Sequence, residues 1–384
     1  MSNKNPVMIS QSPLIQFGAG LLRQVGRQAK FLKGRKALVV TDPGVQALGI
    51  IDRVLERLKK ESLEAEVFTR VQANPTDEDI LAGAEVYKQT GCDLIVSVGG
   101  GSPIDAGKGI RLMARCGGAV PEYDVLVGGV RKIPWDLPPM IALPTTAGTG
   151  SEVTNVAVIT LSKQKVKISL IGAALMPSLA LVDPELTVGL PPGLTAATGM
   201  DALTHCIEAF SVRSYCPPAD QAALGGMELV GTSLVKAVEN GKDLDARTDM
   251  AMAAVFGGLS FPPKGVGASH GLAHPLSAVC GVHHGLANAI MLPWVMDLNC
   301  AAVPEKFARI AAALRPGAGR PEEAAQIVRE MNRKIGLPQK LSEVGVTRAA
   351  FDVLAENAAK DVSMVANPVL LSVEELKAVY ERAF

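Results

Sequence analysis

The chain of 384 residues has only five histidines, no surplus of either charge, no paired cysteine motif and no apolar run of membrane-spanning length. Each shortage excludes something. Lysine plus arginine and aspartate plus glutamate number 38 each, a formal net charge of zero. Without a basic field the chain has no electrostatic reason to bind nucleic acid or an anionic membrane, so neither is expected as a partner. A neutral chain also has no self-repulsion to oppose self-association. The cysteines, Cys92, Cys116, Cys206, Cys216, Cys280 and Cys300, are scattered without a C-x-x-C pair. That pattern reads as free thiols in a reducing compartment. No uninterrupted apolar stretch approaches the ~20 residues of a spanning helix. The opening MSNKNPVMIS has no apolar h-region, so no secretory signal is expected and a cytoplasmic location is. What the chain does have is 48% apolar and 20% charged residues, the balance of a soluble globular protein. Its length predicts two domains.

Two patterns divide the chain. KALVVTD (36–42), EAEVFTRV (64–71), DLIVSVGGG (93–101) and PPMIALPTTAGTGS (138–151) read as strands, most of them fully apolar. Between them, GIIDRVLERLKKES, DEDILAGAEVYKQTG and SPIDAGKGIRLMARCG have helical spacing. Strands alternating with helices predict a parallel α/β sheet. From about Leu194 the chain is rich in Ala and Leu and its periodicity is helical throughout, as in ADQAALGGMELVGTSLVKAVENG. The domains are therefore expected at 1–190, α/β, and 191–384, all-α.

The α/β half carries two loops of small residues at strand ends. Gly99, Gly100 and Gly101 end a buried strand just before a helix. Ligands of open parallel sheets bind outside the carboxyl ends of the strands, and a helix N-terminus attracts phosphate. Neither G-x-G-x-x-G nor a Walker A loop is met, since Ile104, Ser102 and Gly109 stand at the deciding positions. The second loop, ALPTTAGTGSEVT (142–154), offers hydroxyls at Thr145, Thr146, Thr149 and Ser151. The paired loops point to a nucleotide. Asp42, ending a strand, suits a ribose 2′-hydroxyl and opposes a 2′-phosphate, favouring NAD; it also suits an ordinary TDPG turn.

All five histidines fall in two short stretches. Asp201 and His205 lie four apart in a predicted helix, one turn from each other. His270 and His274 repeat the spacing, and His283 and His284 follow. Imidazoles and a carboxylate in apolar surroundings need partners, and a divalent metal is the partner that suits them. Nitrogen and oxygen donors without thiolate fit Fe(II), Zn(II), Ni(II) or Mn(II). A metal beside a nucleotide suggests Lewis-acid assistance to a hydride transfer.

GGGSPIDAGK, PTTAGTGSEVT, GMDALTHCIEAF and SHGLAHPL…HHGLANAIMLP together resemble the iron-containing (group III) alcohol dehydrogenases. The resemblance runs from about Phe17 to the end. It implies a dehydroquinate synthase-like architecture: an N-terminal α/β dinucleotide-binding domain and a helical metal-binding domain. It implies Asp201, His205, His270 and His284 as metal ligands, with His274 beside them in a proton-relay or positioning role. It places Gly99, Gly100, Gly101, Ser102, Asp105, Thr145, Thr146 and Thr149 against the cofactor, with Asn74 and Lys167 near its ribose or nicotinamide end. Asp42 matches the acidic position of NAD-preferring members. The implied activity is NAD-dependent oxidation of a small alcohol, or reduction of an aldehyde or ketone, with an Fe(II)-type ion, in a homodimer or larger homo-oligomer.

Two departures stand out. His283 replaces the proline often found before the last ligand. FPPKGVGASH (261–270) keeps Phe261 but substitutes Pro262, Pro263 and Lys264 in a segment that borders substrate in the family. Ser363 also lies in a stretch that can approach substrate. Two other functions fit the residues: a lyase of the dehydroquinate-synthase type, which would want a basic pocket where only Lys264 is on offer, and a metal hydrolase using Glu208 as general base.

Overall fold

A computed structural model describes residues 12–384; the opening stretch MSNKNPVMIS lies outside them. The described chain forms two compact units. One comprises residues up to Thr146 and Ser151–Val188, the other Gly189–Phe384 with Ala147–Gly150.

The first unit is built on a six-stranded parallel sheet. Its strands are β1 (Leu14–Phe17), β2 (Lys36–Val40), β3 (Glu64–Phe68), β4 (Leu94–Gly99), β5 (Met140–Pro144) and β8 (Leu179–Val182). The spatial order is β1-β8-β5-β4-β2-β3. β6 (Val156–Leu161) and β7 (Val166–Ile171) form a separate antiparallel ribbon. The helices are α1 (Val25–Phe31), α2 (Pro43–Ala47), α3 (Ile50–Lys60), α4 (Asp77–Thr90) and α5 (Gly101–Cys116). Continuous apolar runs such as ALVV and LIVSV can be buried only if both sheet faces are covered. They are: β2, β4 and β5 contribute residues with no exposure to cores on both faces. From β2 the chain steps outward to β3, then returns to β4 on the other side of β2 and continues to β5. The direction reverses between β2 and β4, and ligands bind open sheets at the strand ends beside such a reversal. Asp42 and Gly99–Gly101 lie at those two ends.

Gly107 fixes how closely α5 lies on β4. A Cβ there would stand 2.0 Å from Ser97 Oγ. Capping ends α4 cleanly: Thr76 accepts from Asp79 N, Asp79 accepts from Thr76 N, and Gly91 follows in the left-handed region.

The second unit contains no strand among its described residues. Its helices are α6 (Pro192–Ser211), α7 (Pro217–Glu239), α8 (Leu244–Ser260), α9 (Ala268–Cys280), α10 (His284–Cys300), α11 (Pro304–Leu314), α12 (Glu323–Lys334), α13 (Phe351–Ala359) and α14 (Val373–Arg382). α6 is buried all round from Thr195 to Ser211, the state of a central helix. α7, α8 and α10 pack around it. Ala147–Gly150 belong with these helices: a Cβ on Gly148 would meet Thr198 O at 2.7 Å, and one on Gly150 would meet Gly258 Cα at 2.6 Å. The sequence reading of 1–190 as one domain includes these four residues in the α/β half.

α6 and α10 approach closely because Gly285 has no side chain. A Cβ there would stand 2.2 Å from Ala197 O and 3.3 Å from the Asp201 Cβ. Gly285→Ala is expected to push the helices apart and to lower the melting temperature by roughly 3–10 °C, the range of an overpacked core site. Thermal unfolding followed by circular dichroism measures it; an unchanged midpoint would mean that the two helices have slack.

Candidate metal and cofactor sites

Three helices bring the histidines together. Asp201 and His205 project from α6, His270 and His274 from α9, and His284 opens α10. Asp201, His270 and His284 present donor atoms all within 4.8 Å of one another. Asp201 Oδ1 is 3.9 Å from His270 Nε2 and 3.5 Å from His284 Nε2. His205 Nε2 faces His270 Nε2 at 3.1 Å. The structure thus gathers all four sequence-predicted ligands in one place.

The state of these donors fits a cation. His270 Nδ1 lies 2.6 Å from Glu208 Oε2. A carboxylate can only accept, so the ring proton sits on Nδ1, and neutral His270 turns its Nε2 lone pair toward Asp201 and His205. His205 is buried with its Nδ1 unpartnered, and burial pushes its pKa down to about 4. It is neutral at pH 7, the form a metal ligand needs. Burial also works against a charged His270, but the hydrogen bond and charge of Glu208 outweigh it and hold that pKa above the usual value.

Neighbours hold the ligands in place. Asn288, one turn along α10 from His284, donates to Asp201 Oδ1 at 2.8 Å. Phe261 stacks on His205 with ring centroids 4.8 Å apart at 20°. His274 stacks on His284 at 5.2 Å and 16°. Its Nδ1 lies 2.7 Å from Asp361 Oδ2, while Asp361 Oδ1 accepts from Ser363 N. Burial works to raise the Asp361 pKa, but His274 and the Ser363 hydrogen bonds outweigh it and hold the carboxyl below its usual range. The Asp361 bond leaves Nε2 as the nitrogen of His274 for other work. His283 is exposed at the position preceding α10 and is no member of the 4.8 Å group.

Glu208, Asn288 and Asp361 are the residues that spacing did not assign to this site. Glu208 does occupy the i+3 position from His205, and Asn288 the i+4 position from His284. Asp361 is 87 residues from His274, and no local signal connects them.

The candidate cofactor residues fall mainly in the α/β unit. Gly99 ends β4 with φ +151°, and a Cβ on it would strike Pro103 Cγ at 2.5 Å. Gly100 precedes α5 without any side-chain cap, and the first turn of α5 has no acidic residue. A Cβ on Gly100 would press on the Thr146 side chain at 3.3 Å. Thr145 N donates to Gly99 O at 2.9 Å, joining the two loops. Such a bare, uncapped helix start flanked by hydroxyls suits a phosphate. Ser102 Oγ donates to Ala73 O at 2.6 Å, which brings the 73–74 turn, with half-buried Asn74, to the glycine loop. Asp42 Oδ1 caps α2 by accepting from Val45 N at 2.9 Å. Lys167 lies half-buried on β7, in register with Thr160. Thr149 belongs to the helical unit.

Asp105 is engaged within the protein. Its Oδ1 accepts from Ser151 Oγ, and its Oδ2 accepts from Val158 N at 3.0 Å. Beside it, fully buried Lys108 donates to Ser151 Oγ at 2.8 Å, Thr154 Oγ1 at 3.1 Å and Val156 O at 2.6 Å. Burial lowers the Lys108 pKa to about 8. The pair ties the segment 151–158 to α5.

Comparison with known proteins decides the family. The model of the iron-containing alcohol dehydrogenases matches residues 12–184, and that of the C-terminal part of the Fe-containing alcohol dehydrogenase family matches residues 195–384. The chain belongs to the iron-containing alcohol dehydrogenase family. It is a metal-dependent alcohol dehydrogenase. The 1,3-propanediol dehydrogenase of Klebsiella pneumoniae is 39% identical over 376 residues, 96% of each chain. The NAD-dependent methanol dehydrogenase of Bacillus methanolicus is 37% identical over 377 residues, 97% of this chain and 98% of its own. A crystal structure of a 1,3-propanediol oxidoreductase superposes with a TM-score of 0.93 at 37% identity, covering 99% of this chain and 100% of that one. The other two functions open to the sequence find no support in the site. Lys264 is buried in an ion pair with Asp220 and offers no charge to an anionic substrate. Both Glu208 oxygens are already hydrogen-bonded, so Glu208 is not a free general base.

The depressed His205 pKa has a consequence for this alcohol dehydrogenase without metal. The folded state resists the proton down to about pH 4, whereas an unfolded His binds it below about 6.5. Between those values the unfolded chain holds the extra proton, so this contribution to stability is lost as pH falls. Urea unfolding of metal-free protein at pH 7, 5.5 and 4.5 is expected to show a shallower acid-side loss in His205→Gln than in the unsubstituted chain.

Proposed function

We propose that the chain catalyses reversible, NAD-linked oxidation of a small alcohol to its aldehyde or ketone, with Asp201, His205, His270 and His284 holding a divalent metal. The observation that carries this reading is the convergence of one carboxylate and three imidazoles in a buried cluster beside a His274–Asp361 pair. When bound, the metal supplies Lewis acidity toward the substrate oxygen and the nicotinamide accepts the hydride. The protein's own part is to hold and move protons. Asp361 keeps a proton on His274 Nδ1, and Nε2 takes the hydroxyl proton of the alcohol or passes it on to water. Phe261, flat against His205, keeps water from one side of that imidazole. In the α/β unit, Gly99, Gly100 and Gly101 with Ser102, Thr145 and Thr146 cradle the pyrophosphate. Asn74 and Lys167 approach the ribose or nicotinamide end. Asp105 braces the loop through Ser151 and Val158 N. Asp42 keeps one oxygen for the ribose while the other caps α2, which supports NAD over NADP.

Fe(II) is the resident ion in this reading, and the donor set also suits Zn(II), Ni(II) or Mn(II). The relatives named above act on methanol and propanediol, which supports a small alcohol or aldehyde as the substrate. All six cysteines are free thiols, which supports a reducing, cytoplasmic setting. No helix among the described residues is long and apolar enough to cross a membrane. Leu126, Val127, Val130 and Trp135 are exposed within ten residues of chain, which supports a homodimer or larger homo-oligomer.

Removing metal with a chelator is expected to abolish alcohol-dependent NADH formation, and Fe(II) to restore it; full activity in the metal-free protein would sink the reading. His274→Ala is expected to lower kcat by roughly 10²–10⁴-fold, the usual worth of a proton-transferring residue, with bound metal unchanged. Asp42→Ser keeps a hydroxyl to cap α2 but removes the charge. It is expected to raise kcat/KM for NADP relative to NAD by roughly tenfold, equivalent to about 1.4 kcal/mol of relieved repulsion. An unchanged ratio would show that Asp42 only caps the helix.

A further inference from the structure

Glu208 is a buried carboxylate outside the four candidate ligands. It projects from α6, one turn beyond His205 and two beyond Asp201, and is 2% exposed. Burying a carboxylate is costly unless its lone pairs are matched. Here both oxygens are matched, and by one short segment of α9. Oε1 accepts from Ser269 N at 2.6 Å, and Oε2 accepts from His270 Nδ1 at 2.6 Å. The helix start has closed around this group: a Cβ on Gly267 would stand 3.0 Å from Oε1.

A helix cap alone does not account for this. Gly267, the residue preceding α9, supplies no side-chain cap, and a Ser, Thr, Asn or Asp on the same segment could satisfy the Ser269 N–H without burying a charge from another helix. What a local cap cannot do is reach the imidazole. The Oε2 bond keeps the His270 proton on Nδ1 and fixes the ring's rotation. Its Nε2 is then held 3.1 Å from His205 Nε2 and 3.9 Å from Asp201 Oδ1.

We propose that Glu208 is the positioning residue of the metal centre: through His270 it sets the tautomer, orientation and donor strength on which tight cation binding depends. The inference rests on the reading of Asp201, His205, His270 and His284 as ligands. Carboxylates that orient a ligating imidazole are worth roughly 10–100-fold in metal affinity.

The test measures Zn(II) affinity of the full-length, metal-free protein by chelator competition, and the visible spectrum of its Co(II) form. Glu208→Gln is expected to raise the Zn(II) Kd by roughly 10–100-fold and to alter the Co(II) bands. Combined with His270→Ala it is expected to add nothing further, because its effect travels through that ring. Asp201→Ala is run in parallel. If Asp201→Ala loses Zn(II) while Glu208→Gln binds it within threefold of the unsubstituted protein, the Glu208 inference is overturned and the ligand reading stands. If Asp201→Ala and His270→Ala both bind as tightly as the unsubstituted protein, the ligand reading fails and takes the inference with it. An equal weakening by Glu208→Gln with and without His270 also overturns it. Should Glu208→Gln not fold, Glu208→Asp decides: the charge remains but its shorter arm cannot reach Nδ1, so weakened binding supports the inference and unsubstituted affinity overturns it.

Discussion

Electron-rich atoms crowded together are unfavourable unless something positive lies among them, and α6, α9 and α10 are built to crowd them. The donors of Asp201, His270 and His284 stay within 4.8 Å because the backbones that carry them cannot spread. Gly285 lets α10 rest on Ala197, and α6 is enclosed on every side by apolar packing. Around the donors, Asn288 holds Asp201, Glu208 holds His270, Phe261 covers His205 and His274 covers His284. Every one of these contacts lies in the helical unit, so the geometry of the cluster is a property of that unit.

The α/β unit has a feature of its own at the start of α5, where Gly100 carries no side-chain cap and the surrounding polar groups are tied down. Lys108 does most of that tying. Its buried ammonium collects two hydroxyls and a carbonyl from residues 151–156, a cross-link between α5 and the following segment that apolar packing would not orient. Asp105 completes it from the other side.

Much of this was legible in the sequence, and the division between legible and hidden follows contact range. Apolar runs marked β2, β4 and β5, and helical spacing marked α3, α4, α5 and α7 to within about two residues. β1 at the sheet edge, four residues with mixed exposure, has too short a pattern to read, and the β6–β7 ribbon carries no turn signal strong enough to set it apart from the loops. The candidate ligands stood out because all five histidines fall in two short stretches, with Asp201 and His205 one helical turn apart on α6. Glu208 was visible only as a possible base, because its role depends on Ser269 and His270, some 60 residues away. Asp361 was invisible for the same reason. Lys264 read as an available cation until its partner Asp220, 44 residues earlier, came into contact with it.

The four residues Ala147–Gly150 have a consequence for how such a protein can be rearranged. They interrupt the α/β unit in sequence yet pack on α6 and α8, where Gly148 and Gly150 fill spaces with no room for a side chain. The chain therefore passes between units at three points, and neither unit is one uninterrupted stretch of polypeptide. Exchange of halves between related enzymes at a single crossover near residue 190 would import a foreign version of that insert along with the α/β half. Recombinants should survive only where the donor also has small residues at 148 and 150, which makes this short loop, and not the longer boundary between the halves, the limiting joint for shuffling.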